Sequence, residues 1–274
     1  MKQVMVVLML AVLLVGLGMA SVPADAHPVI LIRGTDYAFQ VPATIRAGFV
    51  ALEFTNAGAE PHHAQVARLN DGVTPAQFGE ALKKGPEAAL PLVTLVGGPG
   101  FIAPGGRQRV SVNLTPGTYA LACFVETPDG TPHLAKGMLS FFRVTGPAAR
   151  PGSLRSAGDI TLNDFSIALP PGFTGRGTYR VVNRGAQPHE VAIVRLAPGK
   201  TMQDFQAFVS QPGPPSGPPP IIPAGGGQGL TRGQTNYLHL NLPAGNYVAL
   251  CFIPDPGSGK PHVALGMLTT FTVR

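Results

Sequence analysis

The sequence predicts an all-β protein built as two tandem β-sandwiches, each interrupted by one short helix. Three observations favour this fold: the chain repeats itself, its apolar residues alternate along short segments, and turn-forming residues are abundant. The 274 residues include 35 Gly and 29 Pro, which is typical of many short strands joined by turns. Hydrophobic residues make up 45% and charged residues 12% of the chain, a balance that supports packed cores and excludes global disorder.

The repeat is the observation that organises the chain. Residues 54–69 match residues 181–196 without a gap, and residues 117–144 match residues 245–273. Between the two halves lies a stretch that is rich in Pro, Gly and Ser and has no apolar periodicity, as in a linker. The predicted organisation is a first domain at 27–146, a linker at 147–156 and a second domain at 157–274. That length suits two domains of ordinary size.

Alternating apolar residues identify the strands. The alternation is clear at residues 49–55, 110–114 and 237–242. Pro-Gly and Pro-Ala-Gly turns at 116–117 and 243–245 each precede a strand that ends in a cysteine. Short strands at even spacing favour a sandwich over a fold with parallel strands and crossover helices.

One helix is predicted in each repeat from its capping residues. Thr74, followed by Pro75 and by Gln77 three residues on, forms a capping box with proline at the first helical position. Thr201 and Asp204 open the matching helix of the second repeat.

The first 26 residues are predicted to be a signal peptide. Lys2 provides the positive charge, residues 4–17 are almost entirely apolar, and the small-residue pattern at 24–26 is typical of a cleavage site. The apolar run is short for a membrane span, and no cysteine follows it to carry a lipid. We therefore expect a periplasmic or extracellular protein with no stable membrane insertion after cleavage. An uncleaved N-terminal anchor is the alternative.

The net charge of +6 comes from scattered basic residues, with Lys83-Lys84 as the longest basic run. No aromatic residues interleave with basic ones in the way that base stacking requires, so nucleic-acid binding is not expected. The charge instead suggests solubility and electrostatic steering toward an acidic partner protein.

The two cysteines, Cys123 and Cys251, would ordinarily predict one disulfide in an exported protein. They occupy equivalent positions in separate repeats, however, and a bridge requires Cα atoms within about 7 Å. We expect two separate thiols, with the disulfide as the alternative.

Each repeat carries one His in its middle and a Cys, a His and a Met near its end. Two imidazoles, a thiolate and a thioether are the ligand set of a blue copper electron-transfer site, because soft sulfur ligands stabilise Cu(I) and imidazole serves both oxidation states. Zinc is the alternative metal, but a thioether does not suit it. The candidate ligands of the first repeat are His62, Cys123, His133 and Met138, and those of the second are His189, Cys251, His262 and Met267.

The spacing of these residues resembles the cupredoxins, the blue copper proteins that include plastocyanin and azurin. In the first repeat, Asn56-x-Gly58 is followed by Pro61-His62. Near the end of that repeat, Gly117-x-Tyr119 is followed by Cys123, then by Pro132-His133 and Gly137-Met138. The second repeat shows both motifs in the same order. The resemblance covers nearly the whole mature chain. It implies two Greek-key β-sandwich domains, each with one type 1-like copper near one end, and one-electron exchange with a redox partner protein.

Two departures from the family bear on the copper sites. Residues 124–132 and 252–261 separate Cys from the second His, a longer loop than the family has, so altered geometry or weaker binding is expected. The family often places Asn after the first His, where it locks the ligand loops. In this chain His63 and Glu190 follow the first His instead. His63 is a candidate further ligand or an exposed neighbour. Glu190 is a candidate replacement ligand if His262 does not bind.

Some two-domain cupredoxins are enzymes, such as nitrite reductases and small laccases, which need a second kind of copper held by additional His residues. No His-x-His occurs here and both cysteines are flanked by aliphatic residues and Phe, so an enzyme is not expected. Copper storage or delivery is a second possible function, and an interaction domain without functional metal is a third. His27 and His239 lie outside the repeat pattern; an amino terminus at His27 could chelate copper, but the sequence identifies no partner residue for it.

Overall fold

The computed structural model describes residues 27–148, 150–211 and 217–274, and it confirms the all-β sandwich. The predicted signal peptide, 1–26, lies outside the described residues. The strands of the first repeat are β1 Val29–Thr35, β2 Ala38–Gln40, β3 Thr44–Arg46, β4 Gly48–Asn56, β5 Gln65–Leu69, β6 Val93–Gly97, β7 Pro99–Ile102, β8 Arg107–Leu114, β9 Gly117–Ala122 and β10 Leu139–Thr145. Those of the second are β11 Asp159–Asn163, β12 Ser166–Ala168, β13 Arg176–Asn183, β14 His189–Leu196, β15 Ile221–Leu230, β16 Thr235–Asn241, β17 Gly245–Leu250 and β18 Leu268–Val273.

The helices begin where the capping residues predict. Helix α1, Pro75–Lys83, has Thr74 and Gln77 in a complete capping box, and the matching helix of the second repeat, Met202–Val209, has Thr201 and Asp204 in the same arrangement. The first repeat contains one more element than predicted, a four-residue helix α2, Pro86–Ala89, that runs into a 3₁₀ turn. The helix of the second repeat is therefore α3. Within the described residues, no helix has the length and apolar character needed to cross a membrane.

The strands form two large sheets with the core between them. One sheet has the order β12-β11-β13-β16-β8-β4-β1-β2, and the other has the order β18-β17-β14-β15-β6-β5-β9-β10-β3, with β7 paired to β15. Most pairs are antiparallel, but β1 runs parallel to β4, β3 to β10 and β11 to β13. Buried apolar side chains from both sheets and both repeats make one continuous cluster.

The helices explain why some strands are buried on both faces. Phe78 of α1 packs with Ala67 and Leu69 on the outer face of β5, and Phe205 of α3 packs with Ala192 and Val194 of β14. A sheet face covered by a helix requires apolar residues there too, so these strands lose the simple alternation that marks a half-exposed strand.

The seam between the repeats has approximate two-fold symmetry. Counting back without a gap from Tyr119 and Tyr247, Val110 of β8 corresponds to Leu238 of β16, and the structure pairs these two residues with each other. The flanking pairs are Tyr237 with Ser111 and His239 with Arg109. His239 is the counterpart of Ser111, and Tyr237 is the counterpart of Arg109. A two-fold rotation that exchanges the repeats therefore turns one pair into the other, as in an isologous contact. The pairings of β15 show the same symmetry. Gly227 pairs with its own counterpart, Pro99. The same rotation relates the pair Leu230–Val96 to the pair Ala224–Ile102.

Close backbone packing at this seam requires glycine. Gly226 of β15 has φ +98°, and a Cβ there would lie 2.0 Å from the carbonyl oxygen of Val191. Its counterpart Gly98 has φ +128°, and a Cβ there would lie 2.1 Å from the carbonyl oxygen of Ala64. Because strands and core continue across the seam, the boundaries 27–146, 147–156 and 157–274 stay a prediction.

Candidate metal centres

The structure brings three predicted ligands of the first repeat together. His62 precedes β5, Cys123 directly follows β9, and His133 lies in the loop that leads to β10. The two Nδ1 atoms lie 2.9 Å apart, and Cys123 Sγ lies 3.9 Å from Nδ1 of His62 and 3.6 Å from Nδ1 of His133. All three side chains are fully buried.

The second repeat builds the same group. His189 opens β14, Cys251 directly follows β17, and His262 begins a 3₁₀ turn, His262–Leu265. The two Nδ1 atoms lie 3.1 Å apart, Cys251 Sγ lies 3.4 Å from Nδ1 of His262, and the three ligand atoms all lie within 4.8 Å of one another. Cys251 and Cys123 are both free thiols, so the alternative of a disulfide between them is not realised.

The spacing of the donor atoms fits a single metal ion. Bonds of about 2.0 Å to nitrogen and about 2.3 Å to sulfur, at tetrahedral to trigonal angles, put nitrogens about 3.3–3.5 Å apart and nitrogen and sulfur about 3.5–3.7 Å apart. The observed N···N separations of 2.9 and 3.1 Å are a few tenths of an ångström shorter. Three S···N separations, 3.9 and 3.6 Å in the first group and 3.4 Å in the second, bracket the expected values, and the fourth, from Cys251 to His189, lies within 4.8 Å.

The ring nitrogens that face away from each group are occupied, which fixes the orientation of the imidazoles. In the first repeat, Nε2 of His62 lies 2.6 Å from Oδ1 of Asp36, and Nε2 of His133 lies 2.7 Å from Oε2 of Glu60. These acceptors hold the proton on Nε2 and leave Nδ1 with a lone pair. Two lone pairs that face each other beside a buried sulfur are the arrangement that a soft cation satisfies.

The second repeat has the same outer contacts with one substitution. Nε2 of His189 lies 2.8 Å from Oδ1 of Asp164, but Nε2 of His262 lies 2.9 Å from an amide oxygen, Oε1 of Gln187. Sequence reasoning missed all four outer residues. The signal was available for two of them, because Glu60 and Gln187 align within the gapless repeat two residues before each first His.

Burial sets the protonation states of the groups. Burial lowers the pKa values of His62, His189 and His262, so their imidazoles are neutral and able to bind a metal. Burial raises the pKa of Cys123 to about 12 and also raises that of Cys251, where the neighbouring Glu190 adds to the effect. Forming either thiolate therefore requires a cation, and a coordinating metal displaces the thiol proton.

The methionines lie at the same place in each group. Met138 and Met267 are fully buried. The amide of Met138 donates to the carbonyl of His133 at 2.9 Å, and the amide of Cys123 donates to the carbonyl of Met138 at 3.2 Å. The same two bonds tie Met267 to His262 and Cys251. These bonds place each methionine backbone beside its group, and the role of the thioether as axial ligand is a proposal.

The long loops between Cys and the second His fold back on themselves. A β-bridge between Glu126 and Pro132 closes the first loop, and one between Pro254 and Pro261 closes the second. The amide of His133 then donates to the carbonyl of Val125, and that of His262 donates to the carbonyl of Ile253, at 2.8 and 2.9 Å. The extra residues form a closed loop that brings each His back to its Cys, and weaker binding or altered copper geometry stays a prediction.

His63 and Glu190 each join the two ligand loops of their site, the role expected of an Asn at this position. Nε2 of His63 accepts the amide hydrogen of Phe124 at 2.8 Å, and Oε1 of Glu190 accepts that of Phe252 at 2.8 Å. Burial lowers the pKa of His63 to about 3 and raises that of Glu190 to about 7. Each residue thus ties the first His of its site to the residue after the Cys. Neither belongs to the groups of three converging ligand atoms.

The loop before each first His is anchored by an asparagine. Asn56 donates from Nδ2 to the carbonyls of Glu60 and Ile102, and its Oδ1 accepts from the amide of Gly58. Asn183 makes the equivalent three bonds in the second repeat. Because Asn56 and Asn183 are fully or nearly fully buried, these bonds give the Asn-x-Gly pattern of the sequence its physical reason.

His27 and His239 lie apart from both groups, at the seam. Nε2 of His27 lies 2.9 Å from Oγ of Ser111, and that hydroxyl lies 2.8 Å from Nε2 of His239. The three side chains form a hydrogen-bonded chain that joins the two repeats. Chelation of copper at His27 stays a prediction.

Comparison with solved structures returns copper proteins. The auracyanin of Roseiflexus castenholzii is 21% identical over 44% of this chain and 99% of its own, with a TM-score of 0.31. Auracyanin A, a "blue" copper protein of Chloroflexus aurantiacus, is 21% identical over 44% and 100%, with a TM-score of 0.30. A multicopper oxidase is 20% identical over 90% and 88%, with a TM-score of 0.24.

No protein-family model matches the chain, and no curated protein matches it either. The TM-scores are low, so the molecule's own strand pairing and ligand geometry carry the assignment. Two all-β repeats, each with a buried His/Cys/His group, fit a two-domain cupredoxin-like protein.

Proposed function

We propose that this chain is an exported copper protein that binds one copper ion in each repeat in a type 1-like site and transfers single electrons. The observation that carries the proposal is the duplicated group of two Nδ1 atoms and one thiol, fully buried and converging within the reach of one ion. The proposed ligands are His62, Cys123, His133 and Met138 in the first site, and His189, Cys251, His262 and Met267 in the second.

In this proposal the protein's own residues hold and shield the metal. Copper supplies the Cu(I)/Cu(II) couple. The asparagine-anchored loops and the closed Cys–His loops fix the ligands, and the outer acceptors fix the imidazole tautomers. Complete burial of the ligand side chains excludes water, so little has to reorganise when the charge on the site changes.

The cellular setting is part of the proposal. The N-terminal pattern supports removal of residues 1–26 and a periplasmic or extracellular location, and the net charge of +6 supports an acidic redox partner. Protein recovered from the exported fraction should have the mass of residues 27–274.

Copper loading tests the function directly. Full-length protein that is loaded with Cu(II) and desalted should retain close to two copper ions per chain and show the intense visible absorption of a Cys-to-Cu(II) transition. The double variant Cys123→Ser/Cys251→Ser is the matched control and should lose that absorption. Colourless protein without retained copper would refute the proposal. Retained copper that cannot be reversibly oxidised and reduced would favour storage or delivery instead.

A further inference from the structure

The two sites differ at one contact that touches a ligand ring directly. Glu60 and Gln187 occupy the same repeat position, and each accepts a hydrogen bond from Nε2 of the second His, at 2.7 and 2.9 Å. The first contact places a carboxylate against His133. The second places a neutral amide against His262.

The second hydrogen-bond partner of each of these two side chains also differs between the repeats. In the first repeat the other carboxylate oxygen, Oε1 of Glu60, accepts from the hydroxyl of Tyr37 at 3.2 Å. In the second repeat the residue corresponding to Tyr37 is Phe165, which has no hydroxyl, and Nε2 of Gln187 donates to Oδ1 of Asp255 at 2.9 Å. The negative charge thus touches the imidazole in the first site and lies one side chain farther away in the second.

The backbone at both residues is held by other side chains. The backbone of Glu60 is held by Asp36 and Asn56, and that of Gln187 is held in the same way by Asp164 and Asn183. The hydrogen bonds of the Glu60 side chain go to His133 and Tyr37. The Gln187 side chain contacts His262 and Asp255 of the Cys–His loop, so Glu60→Gln is the replacement that acts most directly on the ligand ring.

We propose that Glu60 and Gln187 are positioning residues that tune the reduction potentials of the two copper sites through the second His of each site, Glu60 lowering the potential relative to a neutral amide, an inference that rests on the proposed copper function. A carboxylate that accepts the Nε2 hydrogen makes the imidazole a stronger donor and adds a negative charge, and both effects favour Cu(II) over Cu(I). Glu60 lowers the potential of the first site, and Gln187 leaves that of the second higher than a carboxylate would. Glu190 beside Cys251 contributes its own charge to the second site, so the inference concerns the effect of each residue and not the order of the two potentials.

The repeat provides the experiment, because each residue can be replaced by its counterpart. Full-length Cys251→Ser protein isolates the first site and receives Glu60→Gln; full-length Cys123→Ser protein isolates the second and receives Gln187→Glu. Potentials are measured by following the visible band during a redox titration. Outer contacts of this kind change metal affinity about 10- to 100-fold, and a tenfold change in the ratio of Cu(II) to Cu(I) affinity is about 59 mV. Glu60→Gln should raise the potential by up to about that much for each tenfold change in affinity that falls on Cu(II) alone, and Gln187→Glu, whose new carboxylate faces Asp255, should lower the potential by less.

Matched controls carry the same charge changes away from the sites. Glu80→Gln on α1 and Gln203→Glu on α3 alter exposed residues and should leave the potentials unmoved. Urea unfolding of the metal-free variants separates a folding defect from an effect on the metal. Colour in the single-site proteins with potentials that do not move, or that move equally in the controls, overturns this inference alone. Single-site proteins with neither copper nor colour overturn the proposed function and this inference with it.

Discussion

Asp36 is the residue whose removal most directly tests the construction of the first site. Its Oδ1 accepts from Nε2 of His62 at 2.6 Å, and its Oδ2 accepts from the amide of Ala59 at 2.7 Å. Burial alone would raise the pKa of this carboxyl, but the hydrogen bonds from Ala59, His62 and Glu60 outweigh it and the pKa is lowered. The charged carboxylate therefore clamps the ligand ring and its loop together.

The magnitude follows from the contacts that are lost. Asp36→Ala removes the hydrogen bond to the ligand ring and the two that the carboxylate accepts from the amides of Ala59 and Glu60. The bond to the ring, like other hydrogen bonds to charged groups, contributes about 1.5–3 kcal/mol. Outer contacts to ligating His change metal affinity about 10- to 100-fold, which corresponds to about 1.4–2.7 kcal/mol. The two ranges agree. Asp36→Asn keeps one oxygen acceptor but loses the charge, so its effect should be smaller, about tenfold or less.

The assay is a competition between the protein and a chromophoric Cu(I) chelator, in full-length Cys251→Ser protein so that only the first site reports. Asp36→Ala should bind copper 10- to 100-fold more weakly than its parent, a range taken from comparable outer contacts. Asp71→Ala is the control, because Asp71 is an exposed aspartate that pairs with Arg68. Parental affinity in Asp36→Ala, with the metal-free variant shown to be folded, would refute the idea that the outer carboxylate stabilises the site.

Two further predictions concern ligand roles and the seam. Cys251→Ser should abolish the visible band of the second site and most of its copper affinity, whereas Met267→Leu should keep copper bound and chiefly shift the potential; loss of copper from Met267→Leu would contradict a weak axial role. Leu238→Ala should cost about 2–5 kcal/mol of the free energy of unfolding, because Leu238 is fully buried at the seam. The chain has no Trp, so Phe124→Trp and Phe252→Trp provide one fluorescent reporter per repeat, and both should show the same lowered urea midpoint. A transition that shifts in only one repeat would show that the repeats unfold independently.

The fold class and the triads of converging ligands were predictable because their signals are local or repeated. The capping boxes at Thr74 and Thr201 depend only on neighbouring residues, and the structure contains both as predicted. The candidate ligands Cys123 and Cys251 stood out because the same residues recur at the same spacing twice. A duplicated pattern is rarely accidental, even when each residue alone has an ordinary explanation.

The aspartates that contact the first His could not be predicted, since they come from a different part of the chain. Asp36 lies after β1 and reaches His62 only because β1 runs parallel to β4 and delivers both segments to the same end of the sandwich. An aspartate in a turn is ordinary, and nothing in its spacing distinguishes it from one that caps a loop. The strand pairing between the repeats could not be predicted for a similar reason. The internal repeat shows only that Val110 and Leu238 correspond, whereas their pairing depends on how the two repeats pack together.

The departures from the family pattern show that a locking contact requires an acceptor atom in the right place and not a particular residue. An imidazole nitrogen of His63 and a carboxylate oxygen of Glu190 both accept the amide hydrogen that follows the Cys, each at 2.8 Å. Replacing Asn therefore leaves this contact in place, because the physical requirement is a lone pair and several residue types can supply one.

Comparison of the repeats then separates what holds a site from what tunes it. The anchoring asparagines, the aspartates on the first His and the three converging ligands are the same in both halves. The contacts that differ around each site involve the positions 37/165, 60/187 and 63/190. Each of these differences changes the charge or the hydrogen-bonding groups beside a ligand while leaving the ligand itself in place. Two sites with the same ligands and different outer charges should therefore bind the same metal at different potentials.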